Sequence, residues 1–127
     1  MSERRRFPNR RSGYVAHMRH RQINYQIGFA FFGFATWDLG EVGEIFISSD
    51  KPGSNAEECA RDGAILASHA LQRGATITQL AASVTRGDNG EASTLIGAAI
   101  DLVARESRCI KAERATIESS SEETRGE

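Results

Sequence analysis

An α+β domain, a three-stranded antiparallel meander followed by three helices packed on one face, is the fold class this sequence predicts. Three observations carry that prediction. Apolar residues repeat at period two as far as about residue 48, the period then lengthens to that of a helix, and the two kinds of segment do not interleave. Strands that come first and helices that come after segregate into layers. Short connections between the three strands imply antiparallel pairing, because parallel pairing needs long crossovers.

The elements follow in order. Tyr14, Ala16 and Met18 alternate with more polar neighbours and mark a first strand. Ile23, Tyr25, Ile27, Phe29 and Phe31 form a second, with Asn24, Gln26, Gly28 and Ala30 on its other face, so one side meets a core. Gly33 and Asp38-Leu39-Gly40 supply turn chemistry, and residues 42–48, with Ile45, Phe46 and Ile47, form a third strand. Phe34 and Trp37, in the connection between them, are expected either at the rim of the core or on a contact surface. Lys51-Pro52-Gly53 then breaks the pattern, and Ser54-Asn55-Ala56-Glu57 has the spacing of a capping box. Cys59, Gly63, Leu66, Ala67, Ala70 and Leu71 fall on one expected face of the helix that follows, which Gly74 ends. A short helix fits residues 76–85, with Ile77, Leu80, Ala81 and Val84 as its stripe. Arg86-Gly87-Asp88-Asn89-Gly90 reads as a loop, and Ser93 as the cap of a third helix through Leu95, Ile96, Ala99, Ile100 and Val103.

Charge divides the chain further. Its 127 residues carry a net charge of −1, which does not describe a polycation. The first 22 residues nevertheless hold Arg4, Arg5, Arg6, Arg10, Arg11, Arg19 and Arg21 against Glu3 alone, whereas acidic residues outnumber basic ones from Lys111 onward. The expected organisation is a disordered basic arm at 1–12, a folded domain at 13–108 and a disordered acidic tail at 109–127. Two cysteines fifty positions apart make neither a zinc motif nor a disulfide framework, so a reducing cytoplasm is the expected compartment. The apolar run from Ile27 to Thr36 is too short to span a bilayer and lacks a cleavage pattern, so no membrane partner is expected.

Several spaced segments, taken together, resemble one known family. They are Gly43-Glu44-Ile45-Phe46-Ile47, then Lys51-Pro52-Gly53-Ser54, then the helix from Ala60 through Leu71 to Gly74, and later Gly97-Ala98-Ala99-Ile100-Asp101-Leu102. Over roughly residues 12–103 the chain is similar to the TSCPD domain, a module of adenosylcobalamin-dependent ribonucleotide reductases that also occurs as short free-standing proteins. The resemblance implies an accessory domain of deoxynucleotide synthesis whose partner is a reductase subunit. The cysteine-bearing segment that names the family is absent here, as are the paired cysteines that follow the domain in many reductases. Adenosylcobalamin belongs to the larger enzyme, so this chain is expected to hold no cofactor.

The residues themselves argue against catalysis by the chain alone. Radical and dithiol chemistry needs a large barrel and several cysteines. Cys59 reads as a small hydrophobe in the core and Cys109 as an incidental thiol. His17 and His20 do not share a strand face, and no third metal ligand accompanies them; His69 reads as solvent-facing or hydrogen-bonded. Asp62 and Asp101 are expected to cap, to pair with arginine or to face water. No catalytic or metal-binding residue is therefore assigned. Two binding features remain. Lys51, Gly53 and Ser54 precede a helix and could hold a phosphate or nucleotide, although Glu57 and Glu58 already supply negative charge there. Arg4, Arg5, Arg6, Arg10 and Arg11 could contact the phosphates of a nucleic acid, which is the alternative function. The small residues Gly97, Ala98 and Ala99 permit close helix packing or, alternatively, a homo-oligomer interface.

Overall fold

The computed structural model describes residues 12–32, 40–50 and 53–125; the arginine arm, Phe34, Trp37 and Lys51 lie outside the described residues. Strands β1 (Ser12–His20), β2 (Ile23–Phe31) and β3 (Val42–Ser49) form one antiparallel sheet in the order β1-β2-β3, as the period-two pattern predicts. Helices α1 (Asn55–Gln72), α2 (Ile77–Ser83) and α3 (Leu95–Arg125) follow. Tyr14 on β1 pairs with Phe29 on β2, which pairs with Ile45 on β3, and Val15, Gly28 and Phe46 form the neighbouring row on the opposite face.

The inner face is the core. Tyr25, Ile27, Phe29 and Phe31 are all buried, and Tyr14 stacks on Phe29 and meets Phe31 edge-on, with ring centroids 5.7 and 5.6 Å apart. Burying aromatic side chains of this size contributes about 1.5–3 kcal/mol each relative to exposure. Helix α1 packs on β3, α3 packs on β1 and β2, and α2 packs on α3.

The α1 start follows its sequence signals with one displacement. The Ser54 hydroxyl accepts from the Glu57 amide at 3.1 Å, but the Glu57 carboxylate reaches the amide of Gly53 at 3.0 Å, one residue before the cap. Gly53 has φ +96°, a conformation that costs glycine little.

The buried face of α1 differs from the one the apolar pattern predicts. Ala60, Ala64, Ala67 and Leu71 are buried with the polar Ser68 and Gln72, whereas Leu66 is 69% exposed and Cys59 also lies at the surface. The edge of β3 explains the rotation. Ile45 presents its amide and carbonyl away from β2, and Ser68 Oγ accepts from that amide at 3.0 Å. The same hydroxyl lies within donating reach of the Ile45 carbonyl at 3.2 Å and the Ala64 carbonyl at 2.9 Å. Gln72 Nε2 donates to the Gly43 carbonyl at 3.0 Å. An unpaired backbone group in this buried position would cost about 1–3 kcal/mol, so α1 turns these two polar side chains inward and leaves Leu66 outside.

The C-terminal boundary is also corrected. The expected disordered tail from residue 109 is instead helix as far as Arg125. From Ala98 to Arg125 the sequence contains no glycine or proline, and its Ala, Glu, Arg and Lys residues favour propagation once packing supplies a nucleus. Lys111 provides one anchor beyond the expected boundary, 5.8 Å from the Phe31 ring centroid and 3.6 Å from the Glu41 carboxylate. The α3 cap is Thr94 rather than Ser93: its hydroxyl accepts from the Gly97 amide at 3.0 Å.

Two stability outcomes follow. Ser68→Ala leaves the Ile45 amide buried without its acceptor and is expected to cost about 1–3 kcal/mol, read by urea unfolding with the slope unchanged. At Gly63, where α1 crosses α3, a Cβ would sit 2.9 Å from Ile96 Cγ1 and 3.2 Å from its Cβ. Gly63→Val is expected to cost about 1–3 kcal/mol through overpacking, checked by the same assay.

Candidate functional site

Because α1 runs beside the β3 edge, its outward side continues the outer face of the sheet. Phe46 lies on that face at 51% exposure, over Gly28, whose missing Cβ leaves the ring a flat seat. Across the edge, Ile65 of α1 is 55% exposed. The two side chains, with Glu58, Arg61 and Asp62, line an open groove of about 640 Å³. Val15, in the same cross-strand row as Phe46, is 65% exposed. An apolar floor with a charged border is the anatomy of a protein contact surface.

A second concavity, of about 470 Å³, lies where the β1–β2 turn meets the starts of α1 and α3. Ile23, Tyr25, Ala60 and Leu95 give it apolar walls, and His20, Arg21 and Cys59 reach its border. Cys59 is thus corrected from a core position to a surface thiol, 3.9 Å from Asn55 Oδ1. The turn itself is strained: Arg21 and Gln22 adopt φ of +49° and +69°, a region usually left to Asn and Gly in two-residue hairpins. Among the described residues, no group of three or more His, Cys, Asp or Glu side chains is placed to hold a metal ion.

Two residues of the predicted phosphate site, Gly53 and Ser54, are hydrogen-bonded within the chain. The Gly53 amide donates to Glu57, and the Ser54 hydroxyl accepts from the Glu57 amide. Glu57 is 2% exposed, and its other oxygen lies 3.7 Å from Arg61 Nε. The Glu57 carboxylate thus takes up the Gly53 amide. Lys51 and the arginine arm, Arg4, Arg5, Arg6, Arg10 and Arg11, lie outside the described residues. His17 and His20 occupy opposite faces of β1, and His69 Nδ1 lies 3.3 Å from Arg73 Nη1. Asp62 borders the Phe46 groove.

Asp101 has a specific partner. It accepts two hydrogen bonds from Arg86, at 2.7 and 2.8 Å, while the same guanidinium donates to the carbonyls of Ala81 and Gly90. This ties the loop before α3 to both α2 and α3. The hydrogen bonds that Arg86 donates to the Asp101 carboxylate raise its pKa above the ordinary arginine value. A raised basic group contributes its stability fully below its unfolded value and loses it only on rising through the folded one. Both lie far above neutrality, so Arg86 itself adds no pH dependence near neutral pH.

Sequence reasoning missed Phe46, Ile65, Ser68 and Gln72. For Phe46 the signal was present, since strict alternation with Ile45 and Ile47 places it on the other face. Comparison with protein-family models, curated proteins and solved structures returns no match. No helix among the described residues is long and apolar enough to cross a membrane.

Asp101→Ala should release the loop without unfolding the domain. Amide exchange at Gly87, Gly90 and Ser93, which hydrogen-bond within this loop, is expected to accelerate while protection of β2 persists.

Proposed function

We propose that this chain is a non-catalytic binding domain acting through protein contact, a free-standing accessory module of ribonucleotide reduction. The observation that carries the contact reading is the groove between Phe46 and Ile65, with Val15 beside it and Glu58, Arg61 and Asp62 at its margin. Large apolar side chains held in fixed positions by a sheet and a helix need no ordering on binding, which favours affinity. The choice of partner, a reductase subunit, rests on the TSCPD-like order of segments from Gly43 to Leu102.

The chemistry is consistent with an accessory role. Cys59 and Cys109 are both surface thiols, on different helices, and a thiol on a small domain does not supply the radical and dithiol machinery that reduction of a ribose requires. The large enzyme carries that machinery; this chain contributes a surface.

A pull-down of the full tagged chain from its native host, after nuclease treatment, is expected to recover a reductase subunit at stoichiometric yield. Phe46→Ser combined with Ile65→Ser is expected to weaken retention at least about tenfold, in line with loss of roughly 2 kcal/mol at a buried hot spot. Circular dichroism checks that the variant folds. Absence of any reductase subunit from the nuclease-treated eluate overturns the reading.

A further inference from the structure

The two edges of the sheet are treated differently. At β3, Ser68 engages the outward amide and carbonyl of Ile45, and Gln72 the carbonyl of Gly43. Those bonds also fix the hydrogen-bonding phase of the whole sheet. Since Ile45 points its amide and carbonyl away from β2, its partner Phe29 directs its own toward Tyr14 on β1. Alternation then assigns Tyr14, Ala16 and Met18 to the β1–β2 ladder. Gly13, Val15, His17 and Arg19 are left with amides and carbonyls facing outward, and all four residues are exposed.

Among the described residues, this edge lacks two of the usual guards, a bulge and a proline. Its register with β2 runs from Ser12 to His20 without a bulge, and the strand contains no proline. Its inward residues Tyr14, Ala16 and Met18 are apolar but only half-buried, whereas Tyr25, Ile27, Phe29 and Phe31 next to them are buried. Among the described residues, the apolar inner face thus becomes half-buried toward its β1 margin.

We propose that β1 pairs antiparallel with β1 of a second copy of this chain, joining two sheets into one of six strands. The strand is self-complementary in one register. A two-fold axis at Ala16 sets Val15 opposite His17 of the second copy and Gly13 opposite its Arg19. All four outward residues then enter the ladder, forming about eight main-chain hydrogen bonds, and Arg19 meets no like charge. On the inner face the same register sets Tyr14 opposite Met18 of the second copy, a sulfur–aromatic contact that covers the half-buried margin. Ala16 faces Ala16 across the axis, where a small side chain suits the close approach of a non-hydrogen-bonded pair. The occupant is therefore argued from the outward main-chain groups and from the pairing of size and polarity along one strand. It does not depend on the Phe46 groove, which lies on the far strand.

Sedimentation velocity on the full chain tests the association, from low to high micromolar concentration. The expected result is a reversible species of twice the 13.9 kDa chain mass. Val15→Pro removes an outward amide that β2 does not use, and is expected to raise the dimer dissociation constant at least about tenfold. Should that variant unfold, Val15→Lys with His17→Lys places like charges opposite one another and is expected to do the same. Register is read separately with Ala16→Cys in a Cys59→Ser, Cys109→Ser background. Mild oxidation is expected to cross-link Ala16→Cys into a dimer, since such pairs lie within disulfide reach, but not Met18→Cys. A monomer at every concentration overturns the proposal. So does a dimer that withstands both edge variants and fails to cross-link at position 16.

Discussion

Ser68 seats one hydroxyl on both polar groups of Ile45, and most of the architecture depends on that contact. A buried strand edge must satisfy its main-chain groups, and this sheet does so with two side chains one helical turn apart, Ser68 and Gln72. Meeting that requirement sets the rotation of α1 about its own axis. The helix then buries Ala60, Ala64 and Ala67, whose small side chains allow it to lie close to β3, and it turns Ile65 and Leu66 outward. The groove beside Phe46 is a by-product of the same rotation. One polar requirement therefore places both the core face of the helix and the surface through which the domain is proposed to work.

Much of the fold was legible in the chain, for identifiable reasons. Strand β2 alternates Ile, Tyr, Ile, Phe and Phe with small or polar residues, and a pattern that regular leaves little room for a helix. The cap at Ser54 and the stop at Gly74 are local chemistry and survive folding unchanged. What escaped reading depends on distant partners. Nothing near Ser68 in sequence announces that a strand 23 positions earlier needs it. The β1–β2 turn was hidden because Arg21 and Gln22 adopt conformations that Asn and Gly normally signal. The helical tail was misjudged because its acidic, serine-containing composition resembles disorder, while the anchor that holds it, Lys111 against Phe31 and Glu41, is tertiary.

The candidate site divides along the same line. Lys51, Gly53 and Ser54 formed a plausible anion cradle on spacing alone, yet Gly53 and Ser54 instead bond Glu57 of the chain's own helix. Asp101 illustrates the converse: a carboxylate in the third helix was expected to cap, to pair or to face water, and its geometry selects pairing, bidentate with Arg86. That pair holds the loop entering α3 against α2 and so fixes one wall of the helical layer. The surface residues proposed to contact a partner, Phe46 and Ile65, come from a strand and a helix rather than from loops. Their positions are inherited from the core, so the proposed contact uses side chains that the sheet and the helix already hold in place.

The sealed β3 edge has a consequence for the valence of the domain. A sheet with two open margins can add copies at both ends and grow without limit, as cross-β assemblies do. A sheet with one margin shut by its own helix can join a single neighbour and then has no site left for another. In the proposed pairing, Ser68 and Gln72 thus act as chain terminators as well as structural contacts, limiting association to two copies.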